Sequence, residues 1–148
     1  MKTKNLLSVM AFIAMLLVPS GALATGISSI YINVAKPQVG ESPAWGTFWR
    51  SVGVDMSWSQ WYDNKGESLS ATSKFEKGKQ YTFRVKVFPV EGYSITESTV
   101  PYINNNKATV VERKATGTYI SGGNTVYETG YIIFEYTYYI PADLENIS

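Results

Sequence analysis

Aromatic side chains beside predicted loops are the feature of this sequence best suited to binding chemistry. The chain contains four tryptophans and 11 tyrosines. A flat ring at the surface can stack on the C–H face of a sugar or anchor a protein contact. The alternative for each ring is the filling of a hydrophobic core. Two groups flank predicted loops: Trp45, Trp49 and Tyr62 near Ser42-Pro43 and Asp63-Asn64, and Tyr119, Tyr127 and Tyr131 around Gly122-Gly123.

A cluster of basic residues in the middle of the chain forms a second candidate binding surface. Only Glu76 opposes the cations within the cluster. Such a surface could contact an acidic wall polymer or an acidic protein. The alternative is the solvated face of a strand, where lysines discourage edge-to-edge aggregation. The cations are Lys74, Lys77, Lys79, Arg84 and Lys86.

The overall charge balance argues against a nucleic-acid partner. The chain has 13 basic and 12 acidic residues, and loss of Lys2 and Lys4 with a cleaved leader would leave a slight acidic excess. Nucleic-acid binding is dominated by Lys and Arg that neutralise phosphates. We therefore expect no nucleic-acid partner.

Composition also limits the catalytic chemistry. The chain has no cysteine and no histidine, which removes thiol nucleophiles, Cys or His metal sites and the commonest general base. Its carboxylates are scattered singly along the sequence, and no motif predicts two carboxylates that face one another across a cleft, as glycoside hydrolysis requires. The oxygen-rich segment 63–67 contains Lys65 and lacks EF-hand spacing, so a turn is favoured over a calcium site. We expect no enzyme activity, no cofactor and no metal.

The first 24 residues have the organisation of a secretory signal. Lys2 and Lys4 precede an uncharged run at 6–18, and Ala22-Leu23-Ala24 fits the small-x-small cleavage pattern. The alternative, a membrane span, needs about 20 apolar residues. The sequence predicts a cleaved leader at 1–24, one domain at 25–148, and a secreted product in the medium, wall or periplasm without membrane attachment.

Alternation of apolar and polar side chains recurs after residue 24. In the clearest series, Tyr81, Phe83, Val85 and Val87 alternate with polar residues, which places one face of a strand on a core. Glycine- and asparagine-rich turn signals separate the series. Pro89 and Pro101 cannot donate ladder hydrogen bonds, so their strands should end, bulge or lie at a sheet edge there. We expect about eight strands at 28–35, 45–53, 54–62, 68–75, 80–89, 93–103 with an interruption, 107–114 and 126–140.

Several short motifs follow one another in a definite order. They are a hydrophobic strand at 30–34, Pro37-Gln38-Val39-Gly40, a tryptophan, the block 75–82 with Phe75, Gly78, Tyr81 and Thr82, Gly92-Tyr93, and the segment 105–110. This order resembles the immunoglobulin-like β-sandwich modules of bacterial secreted and surface-layer-associated proteins. Over residues 27–139, the resemblance implies an all-β, antiparallel two-sheet sandwich of about seven to nine strands and a non-catalytic role in spacing, adhesion or wall association.

The position of the core tryptophan is left open between two residues. Alternation from Val54 and Met56 points Trp58 inward, whereas the string Trp61-Tyr62-Asp63 resembles the family's core position. A bulge between the two tryptophans would reconcile both observations.

Three functional hypotheses are compatible with the sequence. The leading hypothesis is a secreted protein-interaction, adhesion or structural module at the cell surface, acting through a strand edge or loop patch on an envelope protein. The second is a carbohydrate-binding module that stacks surface polysaccharide on Trp45, Trp49 or Tyr62. The third is a hydrolase with an unrecognised carboxylate pair. The sequence does not set the oligomeric state.

Overall fold

A computed structural model describes residues 24–45 and 49–142, and within them the chain is all β, as the alternation predicts. The predicted leader up to residue 23 and the segment 143–148 lie outside the described residues. Described residues form no helix long and apolar enough to cross a membrane. The strands are β1 (Thr25–Asn33), β2 (Trp49–Arg50), β3 (Val54–Tyr62), β4 (Gln80–Pro89), β5 (Tyr93–Ile103), β6 (Asn106–Lys107), β7 (Thr109–Lys114), β8 (Gly117–Ser121), β9 (Asn124–Glu128) and β10 (Tyr131–Tyr139).

Two four-stranded sheets share one core, giving a sandwich-like arrangement. The first sheet has the order β2-β1-β5-β6 and the second has β3-β4-β10-β7. The expectation of purely antiparallel sheets is wrong at one pair, because β1 and β5 are parallel. The long stretch of chain between these two strands, which contains β3 and β4, permits that crossover. A third, two-stranded sheet contains β8 and β9.

The core lies between the two large sheets and follows the predicted alternation. Strand β4 alternates strictly between buried and half-buried residues from Tyr81 to Pro89. It buries Phe83 against Trp61 of β3, with ring centroids 5.1 Å apart. Strand β1 supplies Ile30 and Ile32 from the opposite sheet. Burial of such side chains is the main favourable term in the stability of the domain.

Trp61, not Trp58, is the core tryptophan. Trp61 is 0% exposed and its indole Nε1 donates to the Ala44 carbonyl over 2.7 Å, whereas Trp58 is 38% exposed. The register between β3 and β4 shifts between Met56 and Trp58. The bulge therefore lies before Trp58 and not, as expected from the sequence, between the two tryptophans. Its extra residue reverses which positions face inward, so Trp58 points outward and simple alternation fails there.

The prediction of a strand at 68–75 is wrong. Its middle forms local bonds instead, since the Ser70 N–H donates to the Ser73 hydroxyl and the Thr72 N–H to the Ser70 hydroxyl. Hydroxyl groups that bond nearby backbone compete with sheet pairing. The segment ends at Phe75, which is buried and packs edge-on to Trp61.

Three other expected strands differ from the structure, and one of them, at 107–114, is divided at Ala108 between β6 and β7. Within the described part of 45–53, only Trp49–Arg50 is a strand. The expected strand 126–140 is two strands, β9 and β10, separated at Thr129 and Gly130. Strand β8 was not expected, and it pairs with β9 across the turn at Gly122 and Gly123, both with positive φ.

Candidate functional site

The candidate site is built around the turn that follows β3. The Oδ1 atom of Asp63 accepts the N–H groups of Lys65 and Glu67, each over 2.9 Å, and the Gly66 N–H donates to the Asp63 carbonyl. The bond from the Glu67 N–H is the main reason that the pKa of Asp63 lies below its ordinary value. These hydrogen bonds hold the turn, and Asp63 and Asn64 line two neighbouring grooves.

One groove, here called the sheet groove, lies between this turn and the outer face of the second sheet. It has a volume of about 270 Å³. The Arg84 guanidinium lies 4.8 Å from the centre of the Tyr62 ring. Its Nε and Nη2 atoms each lie 2.9 Å from Oε1 of Glu135. The groove is lined by Tyr62, Asp63, Asn64, Gly66, Gln80, Thr82, Arg84, Glu135 and Thr137.

Neighbouring strands bring these groups together. In the ladder between β3 and β4, Tyr62 lies opposite Thr82. Across β4 and β10, Arg84 lies opposite Glu135, and the hydroxyls of Thr82 and Thr137 are 2.7 Å apart. Opposed residues of antiparallel strands share one face of a sheet, so this polar array follows from the register.

The second groove, here called the basic groove, lies on the other side of the Asp63 turn. Its volume is about 420 Å³, within the range of roughly 300–1,000 Å³ common for small-ligand sites. It carries both signs of charge. Its lining residues are Asp63, Asn64, Lys65, Glu67, Leu69, Ser73, Lys74, Glu76, Lys79 and Tyr81.

The five cations of the predicted basic cluster do not form one surface. Lys79 lies 2.9 Å from a Glu76 carboxylate oxygen, and this hydrogen bond raises the pKa of Lys79. Arg84 is paired with Glu135 in the sheet groove. Lys86 lies 4.2 Å from the Tyr131 ring centre, outside both grooves. Of the other two, Lys74 lines the basic groove and Lys77 is exposed outside the two linings.

The aromatic residues of the first predicted group lie at different places. Tyr62 is in the sheet groove. Trp45 is half-buried along β3, where its Nε1 donates to Gln60 Oε1 over 2.8 Å. Trp49 is 51% exposed on β2, opposite Asn33 in the first sheet. The three rings therefore do not form one platform.

The second predicted aromatic group lies around the projecting β8–β9 hairpin. Tyr119 is on β8, with its ring 4.5 Å from the Lys114 ammonium and its hydroxyl donating to the Ala115 carbonyl. Tyr127 is half-buried on β9. Tyr131 is on β10, and its hydroxyl bonds Glu112, which raises the pKa of Tyr131.

Several groove residues were missed from the sequence. Glu135, Thr82 and Thr137 are isolated polar residues along strands, and Asn64 lies within a turn motif. Their period-two spacing signals an outward face, but only strand order and register show that the faces adjoin. Tyr31 and Tyr102, stacked with centroids 5.0 Å apart on β1 and β5, were missed for the same reason.

The described residues contain no group of three or more acidic side chains placed to hold a metal ion. No family model, curated protein or solved structure matches this chain.

Proposed function

We propose that this chain is a secreted, non-catalytic binding module of the cell surface that recognises a polysaccharide in the sheet groove and the adjoining basic groove. The observation that carries the proposal is the Tyr62–Arg84–Glu135 constellation. It places an aromatic ring, a guanidinium and a carboxylate in one open groove beside two threonine hydroxyls. The two grooves share Asp63 and Asn64, so an extended ligand can follow both.

The polarity of the grooves favours a hydroxyl-rich ligand over an apolar protein contact. Protein interfaces have a central region depleted in charge and enriched in apolar and aromatic side chains. Here the lining of the sheet groove includes the Arg84–Glu135 pair, and its two side chains are 34% and 23% exposed. The guanidinium and the carboxylate can both form hydrogen bonds with sugar hydroxyls. Because the two side chains already hold one another in place, binding would cost little further side-chain entropy.

The state of the groove carboxylates supports a binding role. A general acid for glycoside cleavage needs a raised pKa, so that it is protonated at neutral pH. The pKa of Asp63 is instead lowered by backbone N–H bonds, which does not suit this group to acid catalysis. Glu135 accepts two hydrogen bonds from Arg84, which holds its carboxylate in the groove as an acceptor for a ligand.

Further support for an immunoglobulin-like architecture comes from the order of motifs and from Trp61 in the core between two sheets. The leader pattern at 1–24 supports export. An exported module with an outward-facing groove would meet cell-wall and surface polysaccharides first.

A glycan array followed by titration calorimetry tests the proposal. We expect the purified protein to bind a subset of cell-surface polysaccharides. Tyr62→Ala and Glu135→Gln should each weaken that binding about tenfold or more, equivalent to about 1.4 kcal/mol. Lys86→Ala is the matched control, since Lys86 is on the same outer face of β4 but outside both grooves.

Two results would overturn the polysaccharide proposal. One is the absence of binding to every glycan tested. The other is an equal loss of binding in Lys86→Ala, which would indicate general electrostatic attraction in place of a defined groove. Thermal unfolding of each variant shows whether a loss of binding reflects a loss of fold.

A further inference from the structure

The β8–β9 hairpin, residues 117–128, forms a sheet separate from the sandwich and is here called the arm. Its two strands pair with each other, and the described residues form no ladder with either outer edge. Every residue of both strands is exposed or half-buried. An isolated two-stranded hairpin is at best marginally stable in water, so the arm is an element that would gain from another pairing strand.

The base of the arm is fixed to the sandwich. The Thr116 N–H donates to the Ile95 carbonyl, the Ile95 N–H donates to the Thr116 hydroxyl, and that hydroxyl donates to the Thr129 carbonyl. Gly130, with φ of 90°, is close against Thr116. The arm therefore leaves the body in one defined direction, which lowers the entropic cost of docking it.

The arm lacks the usual protection of an exposed strand edge. Residues 117–127 include no charged residue and no proline, whereas natural edges are commonly guarded by lysine, proline or bulges. Ile120 is 74% exposed, and Val126 is 44% exposed. An unguarded and uncharged edge with exposed β-branched side chains is a template for strand pairing.

Strand β8 closely follows an edge strand of the sandwich in the chain. β7 is the last strand of the second sheet, and β8 follows it after two residues. Val110 and Val111 on β7 are also exposed. In a hairpin with a two-residue turn, the residue pair that closes the turn is hydrogen-bonded, and along the strands hydrogen-bonded pairs then alternate with non-hydrogen-bonded pairs. Thr118 and Ile120 belong to the non-hydrogen-bonded pairs, so their backbone N–H and C=O groups point away from β9.

We propose that a second copy of this chain docks on the arm, with the two β8 strands antiparallel across a two-fold axis. A two-fold contact places each surface against itself, so any charge of one sign would face its own copy. The 117–127 segment meets this requirement because it is uncharged. Each copy offers one β8 edge, so the two-fold β8–β8 contact itself involves two copies.

Sedimentation velocity of the purified protein over a wide concentration range tests the proposal. We expect a monomer–dimer equilibrium, and Ile120→Lys should raise the dimer dissociation constant about tenfold or more because it places like charges together. Val52→Lys is the matched control: Val52 is 79% exposed, but it lies on the sandwich. It should leave the equilibrium unchanged.

Hydrogen exchange provides a second readout that is independent of the substitutions. The amides of Thr118 and Ile120 should gain protection as the protein concentration rises, and this gain should be absent in Ile120→Lys. A monomer at all concentrations would overturn the proposal. So would a dimer that is equally stable in Ile120→Lys, or one in which these two amides exchange freely.

Discussion

Asp63 shows how one residue both shapes the candidate site and sets its charge. Its Oδ1 atom satisfies two backbone N–H groups of the turn. Hydrogen bonds to the ionised form favour that form, which explains the lowered pKa. A lowered pKa in the folded state means that ionised Asp63 stabilises the folded chain relative to the unfolded one.

Replacement of Asp63 by Asn should reveal this contribution through its pH dependence. The variant keeps the shape and one acceptor oxygen but loses the charge, so we expect a lower unfolding temperature at neutral pH. The wild-type advantage is fully present above the ordinary value of 3.8 and is lost as the pH falls below it, through the lowered pKa of the folded state. Thermal unfolding followed by circular dichroism across this acidic range measures the difference. A difference that does not change with pH would contradict the explanation.

Phe83 is a second residue with a clear energetic role, since it is fully buried and packs on Trp61. We expect Phe83→Ala to lower the free energy of unfolding by about 3–5 kcal/mol, through lost burial and the cavity left behind. Urea unfolding measures the loss. Phe88→Ala is the matched control, because Phe88 is half-buried on the opposite face of the same strand. Equal losses in the two variants would contradict the assignment of faces.

At the scale of elements, the junction between the arm and the sandwich depends on Gly130. A Cβ atom there would lie 2.7 Å from Thr116 Oγ1 and 2.8 Å from Thr116 N, at a φ of +90°. Gly66 has a similar φ of +83°, but a Cβ atom at that position would have no heavy atom within 4 Å. The two glycines therefore separate the cost of backbone strain from the cost of steric overlap.

We expect Gly130→Ala to destabilise the protein more than Gly66→Ala. Both substitutions incur backbone strain on the order of 1–3 kcal/mol, and Gly130→Ala must also displace the backbone of Thr116. Chemical denaturation compares the two variants. Hydrogen exchange of the Ile95 and Thr116 amides should accelerate in Gly130→Ala alone. Similar stability of both variants would show that the junction accommodates a side chain.

The elements also show where sequence patterns succeed and where they fail. Strand β4 was predicted at its observed bounds because its alternation is uninterrupted. Alternation failed at Trp58, since a one-residue bulge reverses the faces. The segment 68–75 failed because serine and threonine hydroxyls bond their own backbone. The short strand β8 was hidden between closely spaced glycines.

At the scale of the whole molecule, the main unknown from sequence was which strands adjoin. The parallel pairing of β1 with β5 joins segments far apart in the chain, and no local pattern specifies it. The same limit applies to the site. Tyr62 and Arg84 were both predicted binding residues, but as members of different groups. The β3–β4 register brings them together, while Tyr119 is carried away on the arm.

A contact between the two sheets closes the end of the sandwich near the β5–β6 turn. Asn104 lies in that turn with φ of 49°. Its amide oxygen accepts the Val34 N–H over 2.9 Å, and its amide nitrogen donates to the Tyr138 hydroxyl over 2.6 Å. Tyr138 belongs to β10 in the second sheet. Burial is the main cause of its raised pKa, since the buried hydroxyl resists ionisation.

Tyr138→Phe should therefore lower stability at neutral pH and reduce the further loss of stability at alkaline pH. At neutral pH we expect a loss of about 0.5–1.5 kcal/mol, because the hydrogen bond from Asn104 is removed. The stabilising effect of a raised pKa is complete below the ordinary value of 10.0 and is lost as the pH rises through the folded-state pKa. Wild type should lose stability over that alkaline range more steeply than Tyr138→Phe. Tyr139→Phe is the control, since Tyr139 is 59% exposed and loss of its hydroxyl should leave the stability at neutral pH close to that of wild type. Urea unfolding at neutral and alkaline pH tests both effects. Parallel profiles for wild type and Tyr138→Phe would contradict the raised pKa, and equal stability at neutral pH would contradict a stabilising bond from Asn104.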